Sequence, residues 1–311
     1  MNTINCTTRK DDIMNKEAIL QVKNVSKKYK NEMALENVSF NLTSGKVVGL
    51  VGPNGAGKST IMKIISGLIS NYTGQVLLNG EDVRKIRSNK KEIGCLIESP
   101  GFYSESTGLE NLKFAAKISG SYSKAQIEEY ADKLNLTENL KKKAKNYSLG
   151  MKQKLGICIA LLGKPQVLIL DEPTNGLDPS ATPAVREIIK YAAQTLGMAV
   201  LVSSHILSEL EIVCDEIVFI KKGHVLEENS IKEETELPVY VIETDQIKET
   251  KEGLKELGFD ANVINNHVEV DIKEEELQKV LPKLISKGIF VKGMYRKKEN
   301  LEEKYNKVMG A

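Results

Sequence analysis

A glycine-rich segment, GPNGAGKST, occupies residues 52–60. It follows the apolar run VVGLV and precedes IMKIISGLI, so a buried strand, a loop and a helix are predicted in that order. Glycine N–H groups in such a loop can surround phosphate oxygens, and the helix N-terminus adds partial positive charge. The spacing predicts that Lys58 reaches the β- and γ-phosphates of a nucleotide and that Ser59 holds Mg²⁺. The remaining expected nucleotide contacts are Gly52, Asn54, Gly55, Gly57 and Thr60.

Two acidic residues end a second apolar run, LILDEP, at residues 168–173. An aspartate at a strand end, Asp171, can hold the metal through water, and the adjacent Glu172 can polarise an attacking water. Two acids in this position could also be ordinary surface residues. The phosphate loop elsewhere in the chain favours the metal and catalytic roles.

The elements that must position these residues follow an α/β pattern. Apolar runs at residues 47–52, 167–173 and 198–205 are typical of strands with both faces covered, as in a mostly parallel sheet under helices. Between residues 109 and 164 only helical patterns remain, so a helical subdomain is predicted at about 98–164. The 311 residues leave room for a second, smaller domain.

The chain is predicted to divide into a tail and two domains. Residues 1–17 are polar and without period, which is typical of a disordered tail, and the main domain is expected at 18–228. After residue 229, the runs PVYVIET, HVEVDI and IFVKGMY alternate with amphipathic stretches, which predicts a small α+β domain over 229–311. One stretch has an apolar stripe at helical spacing, interrupted by Pro282; the stripe consists of Leu277, Val280, Leu281, Leu284 and Ile285.

Composition excludes several classes of partner and site. Forty-four Lys and Arg against forty-two Asp and Glu leave a net charge of +2. So small a net charge does not predict binding to nucleic acid. The four cysteines are widely spaced and form no CxxC pair, so neither a zinc site nor a disulfide is predicted. No apolar run approaches the ~20 residues that span a bilayer, so we expect membrane contact only through another protein.

The segment YSLGMKQKLGICIALLGKPQVLILDEPTNGLD, residues 147–178, resembles the ATP-binding subunits of ABC transporters. The resemblance covers about residues 18–228. It implies a P-loop NTPase core with a helical subdomain, ATP and Mg²⁺ as cofactors, and ATP hydrolysis. It also implies that Tyr29 stacks on adenine, that Asp178 lies in the D-loop, and that His205 is the switch histidine at the γ-phosphate.

The signature peptide of that family departs from its usual form. Where the family has LSGGQ, residues 147–151 read YSLGM, so only Ser148 and Gly150 are kept. The resemblance implies that these two hold the γ-phosphate of an ATP bound to the opposite subunit. Two ATP molecules would then lie between two such chains. We expect the two chains to be identical, with a heterodimer of this chain and a related one as the alternative.

Glu98, in the segment IESPGFY, stands where the family usually has glutamine at the joint between the core and the helical subdomain. The resemblance implies that this side chain reaches Mg²⁺ through its oxygen. An ionised glutamate keeps that acceptor but loses the amide donor, and it adds a third negative charge beside Asp171 and Glu172. We therefore expect a catalytic and metal role, with a tolerated near-isostere as the alternative.

A narrower resemblance is to the ATPases of bacitracin export and lantibiotic immunity. It depends on the segments IESPGFY, SLGMKQ and the ending NLEEKYNKVMG. It implies a peripheral protein on the cytoplasmic face of the membrane that drives transmembrane permease subunits and expels an amphiphilic peptide antibiotic. An antibiotic-sensing complex and an exporter of another amphiphile remain open. A non-transport ABC ATPase is disfavoured, because the chain has one cassette and no sustained heptads.

Overall fold

The computed structural model describes residues 18–86, 92–230, 238–264, 266–297 and 301–310. The predicted tail at residues 1–17 lies outside them. The chain divides into two compact units, one comprising Met1–Ile231 with Tyr305–Ala311 and the other comprising Lys232–Lys304.

A six-stranded sheet forms the centre of the first unit, in the order β10-β9-β3-β8-β7-β6. All neighbours are parallel except β10, which runs antiparallel to β9. Every residue of β3, β7 and β8 is buried, as the unbroken apolar runs predict. The strands are β3 (Val47–Val51), β6 (Ile93–Leu96), β7 (Val167–Leu170), β8 (Ala199–Ser203), β9 (Glu216–Lys221) and β10 (His224–Ser230).

Helices connect these strands, and three of them lie within residues 98–164, where the helical subdomain is predicted. Helix α1 (Lys58–Ile65) follows β3 directly and buries Ile61, Met62, Ile64 and Ile65. The subdomain consists of α2 (Gly108–Ile118), α3 (Lys124–Lys133) and α4 (Leu149–Leu161), with 3-10 turns at Thr137–Asn139 and Ala144–Asn146. Thr107 and Glu110 start α2 with a capping box, and Ser148 caps α4. Helices α5 (Thr182–Gln194) and α6 (Leu207–Val213) complete the unit before β9.

The first unit contains a second sheet, which is antiparallel. The sequence pattern predicts strands in this region but does not distinguish the two sheets. The order of this second sheet is β2-β1-β4-β5, with β1 (Ala18–Tyr29), β2 (Glu32–Thr43), β4 (Thr73–Leu78) and β5 (Glu81–Asp82). Its apolar residues join α1 in one core cluster with the central sheet. The predicted α/β pattern, a mostly parallel sheet under helices, is confirmed, and this antiparallel sheet is an addition to it.

The second unit has the order β-α-β-β-α-β. Its antiparallel sheet runs β12-β13-β11-β14, and its elements are β11 (Val239–Glu243), α7 (Ile247–Glu256), β12 (Ala261–Ile264), β13 (His267–Asp271), α8 (Glu274–Ser286) and β14 (Gly293–Arg296). Helix α8 carries the predicted stripe: Leu277, Val280 and Leu284 are buried, whereas Ile285 is exposed. Pro282 lies inside that helix.

Residues 305–310 lie in the first unit. In helix α9 (Leu301–Met309), the ring of Tyr305 lies 6.4 Å from that of Phe219 on β9, measured between centroids. The Lys221 ammonium donates to the carbonyl oxygen of Met309 at 2.5 Å. The compact second unit therefore ends at Lys304, before the end of the predicted domain 229–311. Within the described ranges, no helix is long and apolar enough to cross a bilayer.

Candidate nucleotide-binding site

The phosphate loop, residues 52–57, joins β3 to α1 and is held between two strands. A Cβ on Gly52 would lie 2.1 Å from the carbonyl oxygen of Ile220 on β9, so no side chain fits there. A Cβ on Gly57, whose φ is +108°, would lie 2.8 Å from the carbonyl oxygen of Ala34 on β2. These close approaches fix both ends of the loop. Between them, Asn54 and Gly55 are exposed at its tip.

Lys58 extends back across this loop. Its buried ammonium donates to the carbonyl oxygens of Gly52 at 2.6 Å and Pro53 at 3.2 Å. Burial lowers the pKa of Lys58, and the negative charges of Glu172 and, to a lesser extent, Asp171 oppose that shift. The ammonium thus lies inside the curve of the loop, where a phosphate could replace the two carbonyl partners.

Asp171 joins three segments through its carboxylate. Ser59 on α1 donates to one oxygen at 2.7 Å, and Ser203 at the end of β8 donates to the other at 2.6 Å. The Ser203 hydroxyl also accepts the backbone N–H of Glu172 at 2.9 Å. Ser203 is not among the predicted site residues. The parallel pairing of Leu170 with Val202 is the signal that could have found it, because the next residues of the two strands must be neighbours.

The Ser59–Asp171 pair fits a magnesium ion in its chemistry. A hydroxyl and a carboxylate are hard oxygen donors, and Mg²⁺ in nucleotide sites is usually held by one or two protein groups together with phosphates and waters. In the residues that the structure describes, no group of three or more His, Cys, Asp or Glu side chains could hold a metal alone. The donors available therefore fit an ion that arrives with the nucleotide.

Glu172 and His205 are in direct contact. His205 Nδ1 lies 2.6 Å from Glu172 Oε2, and the backbone N–H of His205 donates to the same oxygen at 3.3 Å. Glu172 has a φ of +49°, a left-handed conformation that costs a non-glycine residue free energy and is often found at functional sites. The side-chain amide of Gln153 on α4 donates to its carbonyl oxygen at 3.3 Å. The acid is thus held from β8 and from the helical subdomain.

A second link joins the same two segments. The Thr174 hydroxyl donates to Glu209 Oε2, and Arg186 Nη2 lies 3.7 Å from the other oxygen of that carboxylate. Thr174 follows Glu172 by two residues, and Glu209 on α6 follows His205 by four. The contact between the acid and the histidine is therefore supported by a partly buried polar network that the sequence analysis did not predict.

The signature peptide and the D-loop interdigitate within one chain. Ser148 caps α4 by accepting the N–H of Met151 at 3.2 Å. A Cβ on Gly150 would lie 3.0 Å from Leu177 Cδ2, and a Cβ on Gly176 would lie 2.5 Å from Leu149 Cδ2. Each leucine thus covers the other segment's glycine. Leu149, one of the three departures from the usual signature, therefore packs over the loop that leads to exposed Asp178.

Tyr29 ends β1, in the hairpin whose second strand contacts the phosphate loop. Its side chain is 46% exposed, and the Lys27 ammonium lies 4.8 Å from the ring centroid. The ring belongs to the β1–β2 hairpin, whose second strand carries Ala34 against Gly57. An exposed aromatic ring is therefore present on the hairpin that contacts the loop, and stacking on a base requires such a ring.

Glu98 does not join the Ser59–Asp171 contact. Its side chain is 64% exposed, and its Oε1 lies 2.5 Å from the ammonium of Lys63 on α1. Its backbone is left-handed, with a φ of +62°. Glu98 thus has a lysine partner that the sequence did not predict.

The family model described as ABC transporter matches residues 35–175. Over 300 residues the chain is 33% identical to the bacitracin transport ATP-binding protein BcrA of Enterococcus faecalis, with 94% of this chain and 97% of that protein covered. The chain belongs to the ATP-binding proteins of ABC transporters. As such it binds and hydrolyses ATP, and the fold and the resemblance to bacitracin and lantibiotic ATPases are confirmed.

Further relatives of this ABC ATPase carry different names. The lantibiotic transport ATP-binding protein SrtF of Streptococcus pyogenes is 43% identical over 208 residues, covering 67% of this chain and 89% of that protein. The uncharacterized ABC transporter ATP-binding protein YhcH of Bacillus subtilis is 35% identical over 297 residues, covering 94% and 97%. A solved structure titled as the dimeric structure of MJ0796, a bacterial ABC transporter cassette, matches with a TM-score of 0.64 and 25% identity, covering 69% and 100%.

Ser203→Ala tests the connection through Asp171. The change removes one donor to the carboxylate and the acceptor of the Glu172 N–H, so both groups are left short of a partner in a buried site. We expect the free energy of unfolding to fall by about 1–3 kcal/mol, measured by urea denaturation. Ser70→Ala, at an exposed serine of the same unit, is the control and should change it by less than about 0.5 kcal/mol. Equal stability of the two variants would contradict this account of Ser203.

Proposed function

We propose that this ABC ATPase drives separate permease subunits that expel an amphiphilic peptide antibiotic of the bacitracin or lantibiotic type, and so confers resistance or self-immunity. The observation that carries this proposal is the similarity to BcrA over 94% of the chain, which includes the second unit. The MJ0796 cassette, by contrast, covers only 69% of the chain. Similarity to SrtF supports the same class of substrate.

In the proposed reaction, the phosphate loop and Lys58 bind the triphosphate, while Ser59 and Asp171 hold Mg²⁺. When bound, the ion would offset negative charge on the phosphates. Glu172 acts as the general base that takes a proton from the attacking water, and His205, in contact with Glu172 Oε2, orients that carboxylate and reaches the γ-phosphate. Tyr29 stacks on the adenine.

We propose that two copies close on two ATP molecules, with Ser148, Gly150 and Asp178 of one chain facing the nucleotide of the other. The exposed N-terminal end of α4 and the dimeric form of the MJ0796 cassette support this arrangement. A helix N-terminus with a hydroxyl and free N–H groups is suited to an anion.

The permease is proposed to contact the helical subdomain, which would hold the ATPase at the cytoplasmic face of the membrane. Tyr103 and Phe114 form an edge-to-face pair with ring centroids 4.9 Å apart, and both side chains are exposed. The buried amide of Asn111 fixes the loop that carries Tyr103, bonding to its N–H at 2.7 Å and to its carbonyl at 2.9 Å. A rigid exposed aromatic pair of this kind is suited to a protein interface.

Glu172→Gln and Lys58→Ala should separate chemistry from binding. Loss of a general base costs about 10²–10⁴ in rate while leaving nucleotide contacts in place, so Glu172→Gln should bind ATP and accumulate as a closed dimer. Lys58→Ala should instead weaken ATP binding, because it removes a charge-assisted contact to the phosphates. Binding titrations measure the ATP affinity, steady-state assays measure the rate of hydrolysis, and light scattering measures the fraction of dimer. Full turnover by the glutamine variant, or unchanged ATP affinity of the alanine variant, would refute the assigned roles.

The substrate class can be tested in cells that carry the ATPase with its permease. We expect wild-type protein, but not Glu172→Gln, to raise the minimal inhibitory concentration of bacitracin or a lantibiotic. An aminoglycoside, which is not an amphiphilic peptide, is the control compound. Unchanged resistance together with co-purification of a sensor kinase would support a sensing complex instead of an exporter.

We propose that the second unit strengthens the dimer or its assembly with the permease, because it has its own apolar core and contains none of the nucleotide motifs. A chain ending at residue 230 should keep ATP binding and lose ATP-dependent dimerisation, measured in the Glu172→Gln background.

This truncation also removes α9, so a control is needed. Tyr305→Ala in the full chain deletes the ring contact to Phe219 but keeps the second unit. The control should still dimerise. If it loses dimerisation to the same extent, α9 and not the second unit is responsible; loss of ATP binding in a folded truncated chain would show that the division is wrong.

A further inference from the structure

Glu209 is a largely buried carboxylate that joins the segments of Glu172 and His205 to helix α5. It lies in the first turn of α6, four residues after His205, and its side chain is only 14% exposed. The Thr174 hydroxyl donates to its Oε2, and Arg186 Nη2 on α5 lies 3.7 Å from its Oε1. A single side chain therefore connects the loop after β7, helix α5 and the helix that follows His205.

The segments that carry Glu172 and His205 are thus connected at two points. The first contact is direct, because His205 Nδ1 lies 2.6 Å from Glu172 Oε2. The second joins Thr174, two residues after Glu172, to Glu209. A single contact would let one segment turn about the other, whereas two separate contacts fix both the distance between the segments and their direction. The contact at Glu209 therefore restricts the orientation of Glu172 toward His205.

The backbone between these two contacts has little freedom. Glu172 has a φ of +49°, a strained conformation that persists only where neighbouring contacts enforce it. Pro173 follows it, and a proline ring fixes φ. The backbone N–H of Asn175 donates to the carbonyl oxygen of Glu172 at 3.1 Å, which closes a turn over residues 172–175. A displacement of Thr174 would therefore be transmitted to Glu172.

The space around Glu209 is closely packed. Pro173, Thr174, Arg186, Ser204 and Glu209 are among the residues that line a cavity of only about 10 Å³, which has room for one water at most. Arg186 Nε is buried and has no hydrogen-bond partner within the described residues. Water could hardly replace the Glu209 carboxylate here, so its loss would leave the Thr174 hydroxyl and the Arg186 guanidinium without a partner that fixes them.

We propose that Glu209 is a positioning residue for ATP hydrolysis. By accepting from Thr174 and attracting Arg186, it holds Glu172 and His205 in the mutual orientation that hydrolysis needs. The inference rests on the proposed roles of Glu172 and His205. Neither of these two partners of Glu209 belongs to the phosphate loop, so its loss slows hydrolysis and leaves ATP binding in place.

The first measurement separates rate from affinity in the full chain. Glu209→Ala removes both contacts, and we expect kcat to fall by about tenfold, since misplacing a catalytic group by ~1 Å can cost up to about a hundredfold. The dissociation constant of a non-hydrolysable ATP analogue should stay within about twofold of the wild-type value. Glu209→Gln keeps an oxygen that accepts from the Thr174 hydroxyl, so its kcat should recover to within about threefold of the wild type.

A double-mutant cycle with His205→Ala tests whether Glu209 acts through the histidine. In that background the side-chain contact to be oriented is gone, so Glu209→Ala should change kcat by less than about twofold. Release of radiolabelled phosphate detects the low rates involved. A residue that only supports the fold would lower kcat by the same factor in both backgrounds.

Tyr191→Phe is the matched control. It also removes a hydroxyl that donates to a carboxylate of another helix in the same unit, because Tyr191 on α5 donates to Glu129 on α3. Neither residue adjoins Glu172 or His205 in the sequence. The control should therefore keep kcat within about twofold of the wild type.

Two results would overturn the proposal: an unchanged kcat in Glu209→Ala, or an equal loss of kcat with and without the His205 side chain. A failure of the underlying roles is recognised separately, because Glu172→Gln and His205→Ala would then hydrolyse ATP at the wild-type rate. Urea denaturation checks that each variant is folded. If Glu209→Ala does not fold, Thr174→Val, which removes the hydroxyl donor to the same carboxylate, takes its place in the cycle with the same expected result.

Discussion

The buried carboxylate of Asp171 is the group on which the geometry of the site depends. A carboxylate withdrawn from water is costly unless each oxygen has a partner, and here Ser59 and Ser203 supply them. The two serines come from the helix after β3 and the end of β8, whereas Asp171 follows β7. Because the Asp171 carboxylate needs both hydrogen-bond donors, three segments converge at the carboxyl edge of the parallel sheet. The phosphate loop and the Glu172–His205 pair are positioned as a consequence.

The helical subdomain also contacts Glu172 and the loop after it, through one hydrogen bond and apolar packing. Gln153 on α4 bonds to the carbonyl of Glu172, and the reciprocal packing of Leu149 on Gly176 and Leu177 on Gly150 is apolar. The acid at the strand end is thus held by polar contacts from the core and by a contact from the helix that carries the signature. A displacement of α4 would therefore move Glu172 through the Gln153 hydrogen bond, whether or not a nucleotide is bound.

The parts of the site that could be predicted are those encoded by local patterns. The phosphate loop and Asp171 follow short apolar runs, rich in β-branched residues and ended by glycine or proline, which favour buried strands, so sequence order places them at a strand end. Ser203 could have been deduced from strand register, but register is a property of pairing and not of composition. The Lys63–Glu98 pair and the antiparallel sheet depend on which distant segments meet. The stripe in α8 was predicted correctly, except that Ile285 is exposed, because periodicity does not show how far the opposing surface extends.

Helix α9 changes the topological status of the small unit. Because the chain returns to β9 through Tyr305 and Met309, the unit is an insertion held at both ends and not a pendant domain on a single linker. A segment attached at both ends has fewer accessible conformations than one with a free end, because closing the loop removes conformational entropy. It also follows that a bulky group attached next to Met309, whose carbonyl accepts from Lys221, would crowd β9, whereas the exposed turns of the inserted unit would tolerate one better.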